Sequence, residues 1–168
     1  MQAVRLERQA PIAERPLALV ELPDPEPGPG ELRIRVGACA VCRTDLHVVE
    51  GDLPERKLPI VPGHQAVGVA DRLGPGAGRF RLGERVGIAW LRGTCGSCAF
   101  CRSGRENLCA GSLYTGWDAD GGFAEFALVP EAYAYRIPEV FSDVEAAPLL
   151  CAGIIGYRAL RRSGVAPG

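Results

Sequence analysis

The sequence predicts a mainly β domain of the α+β class: an irregular β-barrel with short helices and a C-terminal helix. Three observations carry that prediction. Residues 2–8, 31–38 and 121–130 alternate apolar and polar side chains, as half-buried strands do. Glycine and proline, 22 and 14 of the 168 residues, punctuate the chain at short intervals, while a hydrophobic content of 47% supplies a core. Only after residue 140 does the pattern turn clearly helical.

The elements follow in order. A first strand over 2–8 is separated from the second, ELRIRVGA (31–38), by PDPEPGPG, whose prolines continue neither ladder. RTDLHVVEG (43–51) reads as a short helical turn. HQAVGVADRL (64–73) and ERVGIAW (84–90) read as strands joined by GPGAGRFRLG, and GGFAEFALVP (121–130) as a further strand. Ser142-Asp143-Val144-Glu145 is a capping box, in which hydroxyl and carboxylate each satisfy an orphan backbone donor. Pro148 suits the first turn of a second helix, where a missing N–H costs little, and LLCAGIIGYRALRR (149–162) should continue it to a basic end.

Composition excludes several function classes. The formal net charge is -1 and the arginines are scattered, so no electrostatic footprint for nucleic acid or membrane is expected. No apolar run approaches the length of a membrane helix. The N-terminal run MQAVRLERQAPIAERPL has no apolar segment of the secretory kind, and a reducing cytoplasm, where thiols stay available, is the expected compartment.

Four of the seven cysteines, Cys95, Cys98, Cys101 and Cys109, form a C-x2-C-x2-C-x7-C run within GTCGSCAFCRSGRENLCAGS. Four thiols this close can surround one tetrahedral ion with no position left for substrate, which marks a structural zinc site. Two-residue gaps suit a metal knuckle better than a disulfide. The bacterial ferredoxin run also opens C-x2-C-x2-C, but its fourth cysteine follows three residues later and precedes proline; here seven residues intervene and Ala110 follows. A nucleic-acid-binding zinc ribbon would want more basic residues beside the loop than Arg92, Arg102 and Arg105.

Cys42, His64 and Cys151 are too far apart for spacing to argue anything. Singly, each cysteine reads as a small buried hydrophobe and the histidine as a hydrogen-bonded core residue. Two cysteines and one histidine with an open position are nevertheless a catalytic zinc arrangement. Cys39 reads as core.

VCRTDLH (41–47), PGHQAVGVADRLGPGA (62–77), FRLGERV (80–86), the four-cysteine loop and LLCAGIIGYRAL (149–160) together resemble the zinc-containing medium-chain alcohol dehydrogenases, in the family's order and over nearly the whole chain. The resemblance implies a GroES-like barrel over 1–147, with the structural-zinc loop at 92–112, and a helix over 148–168 leading toward a dinucleotide-binding domain. It implies two zinc ions. Cys42, His64 and Cys151 would hold the catalytic ion, and Cys95, Cys98, Cys101 and Cys109 the structural one. Cys151, in the first turn of its helix, would be favoured as thiolate by backbone donors. Asp45 would orient His64. Thr44 and His47 would relay the alcohol proton, an exchange suited to an imidazole pKa of about 6.5. Arg43 would contact the cofactor pyrophosphate. Trp90 and Trp117 are candidates for substrate-pocket walls and equally for core packing. The implied reaction is hydride transfer between an alcohol and NAD or NADP, giving an aldehyde or ketone, with zinc stabilising the alkoxide. Polyol or formaldehyde dehydrogenation, and a non-catalytic zinc-stabilised scaffold, are the alternatives. The resemblance also implies a homo-oligomer at full length.

Two positions depart from the family's pattern. Gln65 follows His64 where glutamate is usual, and Ile155 stands where threonine is frequent. No strand, G-x-G-x-x-G and helix occur in succession, so the Rossmann domain is expected to lie outside this sequence and the segment alone to be inactive.

Overall fold

The computed structural model describes residues 1–165; the last three positions of the segment expected at 148–168 lie outside the described residues. Strands β1 (Gln2–Leu6) and β2 (Leu17–Glu21) form an antiparallel ribbon. After β3 (Glu31–Cys39) come helix α1 (Arg43–Glu50), strands β4 (Ala66–Leu73), β5 (Arg85–Ile88) and β6 (Leu91–Gly93), the single turn α2 (Ala99–Arg102), and β7 (Leu113–Tyr114). Then follow β8 (Phe126–Pro130), β9 (Ala134–Arg136), α3 (Asp143–Ala146) and α4 (Ala152–Ser163). Five strands make the main antiparallel sheet in the order β8-β3-β4-β5-β9, a curled half-barrel, and β6 pairs with β7 beside it. The mainly β expectation holds.

The half-barrel closes over Leu32, Ile34, Ala70, Val86, Ile88 and Val129, which alternate inward along their strands, and over Phe80 from the loop between β4 and β5. The central strand β4 is buried on both faces. Ala66 and Ala70 look into that core, while Val67 packs with Ala146, Ala147 and Leu150 on the other side. Gly68 lies opposite Val36, beside a break in the β3–β4 register, and a Cβ there would strike the Arg35 carbonyl. Glycine is therefore what lets the two backbones approach. A third cluster, of Leu6, Val48, Val49, Ile60 and Trp117, packs α1 and the ribbon together with the loops that carry Ile60 and Trp117.

The C-terminal region differs from expectation. Ser142 caps α3 as the capping box predicts: its hydroxyl accepts from Glu145 N–H at 3.3 Å, and its own N–H donates to the Glu145 carboxylate at 2.9 Å. The single helix expected over 149–162 is instead a 3-10 turn, Ala147–Leu150, and then α4. Between them Cys151 adopts φ -133 and ψ -74, outside helical geometry. At the junction Cys151 N–H makes a long i to i+3 bond to the Pro148 carbonyl, at 3.4 Å, and α4 starts with Ile155 N–H on the Cys151 carbonyl at 3.0 Å. Among the described residues no helix is long and apolar enough to cross a membrane.

Candidate metal centres

The loop between β6 and β7 folds around its own sulfurs. Cys98 N–H points at Cys95 Sγ (3.4 Å), Cys101 N–H at Cys98 Sγ (3.5 Å), and Cys95 N–H at Cys109 Sγ (3.5 Å). The thiols lie 3.4 Å (Cys98–Cys101), 3.5 Å (Cys95–Cys109) and 3.9 Å (Cys95–Cys101) apart. A tetrahedron with zinc–sulfur bonds of about 2.3 Å has edges of about 3.8 Å, so the four sulfurs already span such a figure. Inward-turned amides favour thiolate. The N–H groups of Ser97 and Cys98 bring the Cys95 thiol down to about 6. Thr94 pulls Cys101 the same way, but burial and the neighbouring thiols Cys98 and Cys109 outweigh it, and Cys101 rises to about 11.

The second cluster is assembled from three distant segments. Cys42 precedes α1, His64 precedes β4, and Cys151 stands between the 3-10 turn and α4. Their ligand atoms lie within 4.8 Å of one another, the two sulfurs 3.9 Å apart. Asp45 joins two of the segments. One carboxylate oxygen accepts from Cys42 N–H at 2.8 Å; the other faces His64 Nδ1 at 2.9 Å and Gly63 N–H at 3.2 Å. Gly63 reaches that contact at φ +97, a backbone region that glycine enters without strain. With Nδ1 held by the carboxylate, His64 turns Nε2 toward the thiols. That nitrogen is buried and has no hydrogen-bond partner. An orphaned ring nitrogen in a fully buried histidine is costly unless something binds it, and two thiols at bonding range of one point match the donor set of an open zinc site.

The electrostatics follow the geometry. Burial disfavours a His64 charge, but the Asp45 carboxylate and the Cys42 sulfur outweigh it and raise its pKa. Burial likewise opposes a Cys42 thiolate, yet the Thr44 N–H and hydroxyl, then His64 and Cys151, bring it below the usual thiol value. Cys151 moves the other way, to about 11, through burial and the adjacent Cys42 sulfur. The thiolate-favouring helix start expected at Cys151 is not realised: Cys151 stands at the N-cap of α4, but its sulfur accepts no hydrogen bond from the first-turn amides, and its own N–H is turned back on Pro148.

The other expected site residues surround this cluster. Thr44 Oγ1 is 3.7 Å from Cys42 Sγ, and Arg43 is exposed on the first turn of α1. The His47 side chain is 36% exposed and its Nδ1 lies 2.7 Å from Asp52 Oδ2, a partner that no sequence motif marked. Gln65 is buried and donates from Nε2 to the Pro148 carbonyl at 3.1 Å. Trp90 meets the His64 ring edge-on at 4.9 Å and stacks on Tyr114 and Trp117. Trp117 is core: it is buried, with its indole N–H on the Pro54 carbonyl and Arg56 over its ring at 3.8 Å. Trp90, Leu91, Tyr135, Cys151 and Ile155 line a cleft of about 260 Å³. A separate cavity of about 230 Å³, lined by Lys57, Arg92 and Phe126, includes none of the candidate ligands. Cys39 is a half-buried thiol packed against the main core, raised to about 12 chiefly by burial.

Residues 28–139 match the family model of the alcohol dehydrogenase GroES-like domain. The chain belongs to that family. It is 55% identical over 173 aligned positions to the protein named Probable alcohol dehydrogenase AdhA of Mycobacterium tuberculosis, covering 100% of this chain and 50% of that one. An alcohol dehydrogenase of Geobacillus stearothermophilus is 44% identical over 156 residues, 92% of this chain and 46% of its own length. Among solved structures, the cobalt- and zinc-bound thermostable alcohol dehydrogenase of Pyrobaculum aerophilum superposes with a TM-score of 0.89 at 32% identity, covering 100% of this chain and 50% of that one. The GroES-like chain thus spans about half the length of the relatives it matches.

Proposed function

We propose that this segment is the metal-bearing part of a zinc-dependent alcohol dehydrogenase that transfers hydride between an alcohol and NAD or NADP. The observation that carries the reading is the buried, unpartnered Nε2 of His64 facing the Cys42 and Cys151 thiols, beside a separate four-thiol knuckle. Cys42, His64 and Cys151 hold a catalytic zinc, and Cys95, Cys98, Cys101 and Cys109 a structural one. Residues 1–147 form the catalytic domain, and the segment from 148 leads toward a dinucleotide-binding domain. Bound zinc supplies Lewis acidity, which lowers the cost of removing a proton from an alcohol oxygen.

The remaining roles fall to the chain. Asp45 holds His64 in the tautomer that leaves Nε2 free. The Thr44 hydroxyl, beside Cys42, would accept the alcohol proton while passing its own on through the cofactor ribose to His47, which reaches solvent, pairs with Asp52 and would release it there. Arg43 offers its charge to the cofactor phosphates. Trp90, Leu91 and Ile155 wall the substrate cleft. Six cysteines read as zinc ligands need to stay reduced, which supports a reducing compartment, the cytoplasm, and the complete protein is read as a homo-oligomer.

The test counts zinc in the complete natural protein and follows NAD(P)-linked oxidation of a panel of alcohols. Two ions per chain are expected, one of them removed by chelator together with activity and without unfolding. A single ion that leaves only on unfolding would overturn the reading in favour of a zinc-stabilised scaffold.

A further inference from the structure

Gln65 touches both of the other ligand-bearing segments while sitting next to His64. Its backbone carbonyl accepts from Ala40 N–H at 3.0 Å, two residues before Cys42. Its side-chain amide donates to the Pro148 carbonyl at 3.1 Å, three residues before Cys151. It is 2% exposed. The segment it holds has no helical frame of its own at the thiol, since Cys151 lies outside helical geometry. Apolar contacts of Ala147 and Leu150 with Val67 and Ala89 set how deeply the turn sits. Such contacts are non-directional and leave its rotation free. The hydrogen bond to Pro148 supplies the direction.

We propose that Gln65 is the positioning residue for Cys151: its amide fixes the Ala147–Leu150 turn, and through it the thiol, against Cys42 and His64. This rests on reading those three residues as a metal site. The pairing requires a donor at 65. The Pro148 carbonyl only accepts, so an apolar side chain of similar length leaves it without this bond in a buried place.

The experiment uses the complete natural protein loaded with zinc, and Gln65→Met and Gln65→Leu variants. Each is challenged with a chromophoric chelator that reports the release of each ion. A cobalt-exchanged sample of each reports ligand geometry through its visible d–d bands. Either variant is expected to release the ion of the three-ligand site about tenfold more readily, the effect typical of groups that support metal ligands. Its cobalt bands should shift, while the four-thiol ion and the circular dichroism stay as in the parent. Should one variant fail to fold, the other decides. A folded variant that holds the three-ligand ion within twofold of the parent, with unchanged cobalt bands, overturns the proposal. A parent that never holds a second ion sinks the metal reading itself, and is told apart because the variants are then irrelevant to the result.

Discussion

The two proposed metal centres are built in opposite ways. The four-thiol knuckle draws every ligand from fifteen consecutive positions, Cys95 to Cys109, and orients them with amides of the same loop. The three-ligand cluster gathers Cys42, His64 and Cys151 from segments that meet only when α1, β4 and the turn before α4 have packed on one another. The first is a local chelate, the second a product of the tertiary fold. A local site should govern the order of its own loop and little else. An assembled site should respond to changes in residues that never touch the ion.

The sharpest way to break this contrast is Cys98→Ser. Loss of one of four ligands is expected to abolish metal binding by the knuckle outright. Because metal binding supplies the folding free energy of such loops, residues 92–112 should become open to trypsin at Arg102 and Arg105. The half-barrel core, with no side chain from the knuckle thiols in it, should keep its far-UV spectrum, and the three-ligand site its metal. Loss of both ions together would refute the independence of the two centres.

Asp45→Asn probes the assembled site at a residue that bonds two of its three segments. The amide keeps one acceptor and presents its NH2 group to donors that previously met oxygen. Retention of the three-ligand ion should fall about 10- to 100-fold, with the knuckle unaffected. Chelator competition that resolves the two ions in one sample gives the comparison directly.

The same distinction explains what could be read from the sequence. The knuckle is legible because its spacing is its geometry. Strands β3 and β4 are legible because each is long enough to show alternation, and Ser142 because a capping box is a four-residue signal. Strands β2, β6, β7 and β9 escape notice, three of them only two or three residues long and held by partners remote in sequence. The break at Cys151 is hidden for a related reason. LLCAGIIGYRALRR shows no turn residue at Cys151 itself, and the interruption goes with tertiary contacts at Pro148, whose carbonyl takes bonds from Cys151 and from Gln65, next to β4. Convergence of Cys42, His64 and Cys151 has no signature in spacing; only the resemblance to the dehydrogenase family suggested it.

The smallest expected effect tests how far the assembled site reaches. Ser142 caps the helix that leads into the Cys151 turn, and its hydroxyl and N–H hold the Glu145 carboxyl below the usual carboxylate range. Because the folded-state value is depressed, this contribution is present above the ordinary carboxylate pKa and is lost as pH falls through the depressed one. Ser142→Ala should cost about 1 kcal/mol at neutral pH, as loss of an N-cap does. The gap from the parent should narrow in acid, where the carboxyl is neutral in both proteins. Thermal melts at neutral and acid pH measure it. Since α3 sits two elements before Cys151 in the chain, a modest loosening of the three-ligand ion should accompany the lost stability, with none at the knuckle. Equal loosening at both centres would mean that the cap acts on the whole fold, and not along the path from α3 through the turn to the thiol.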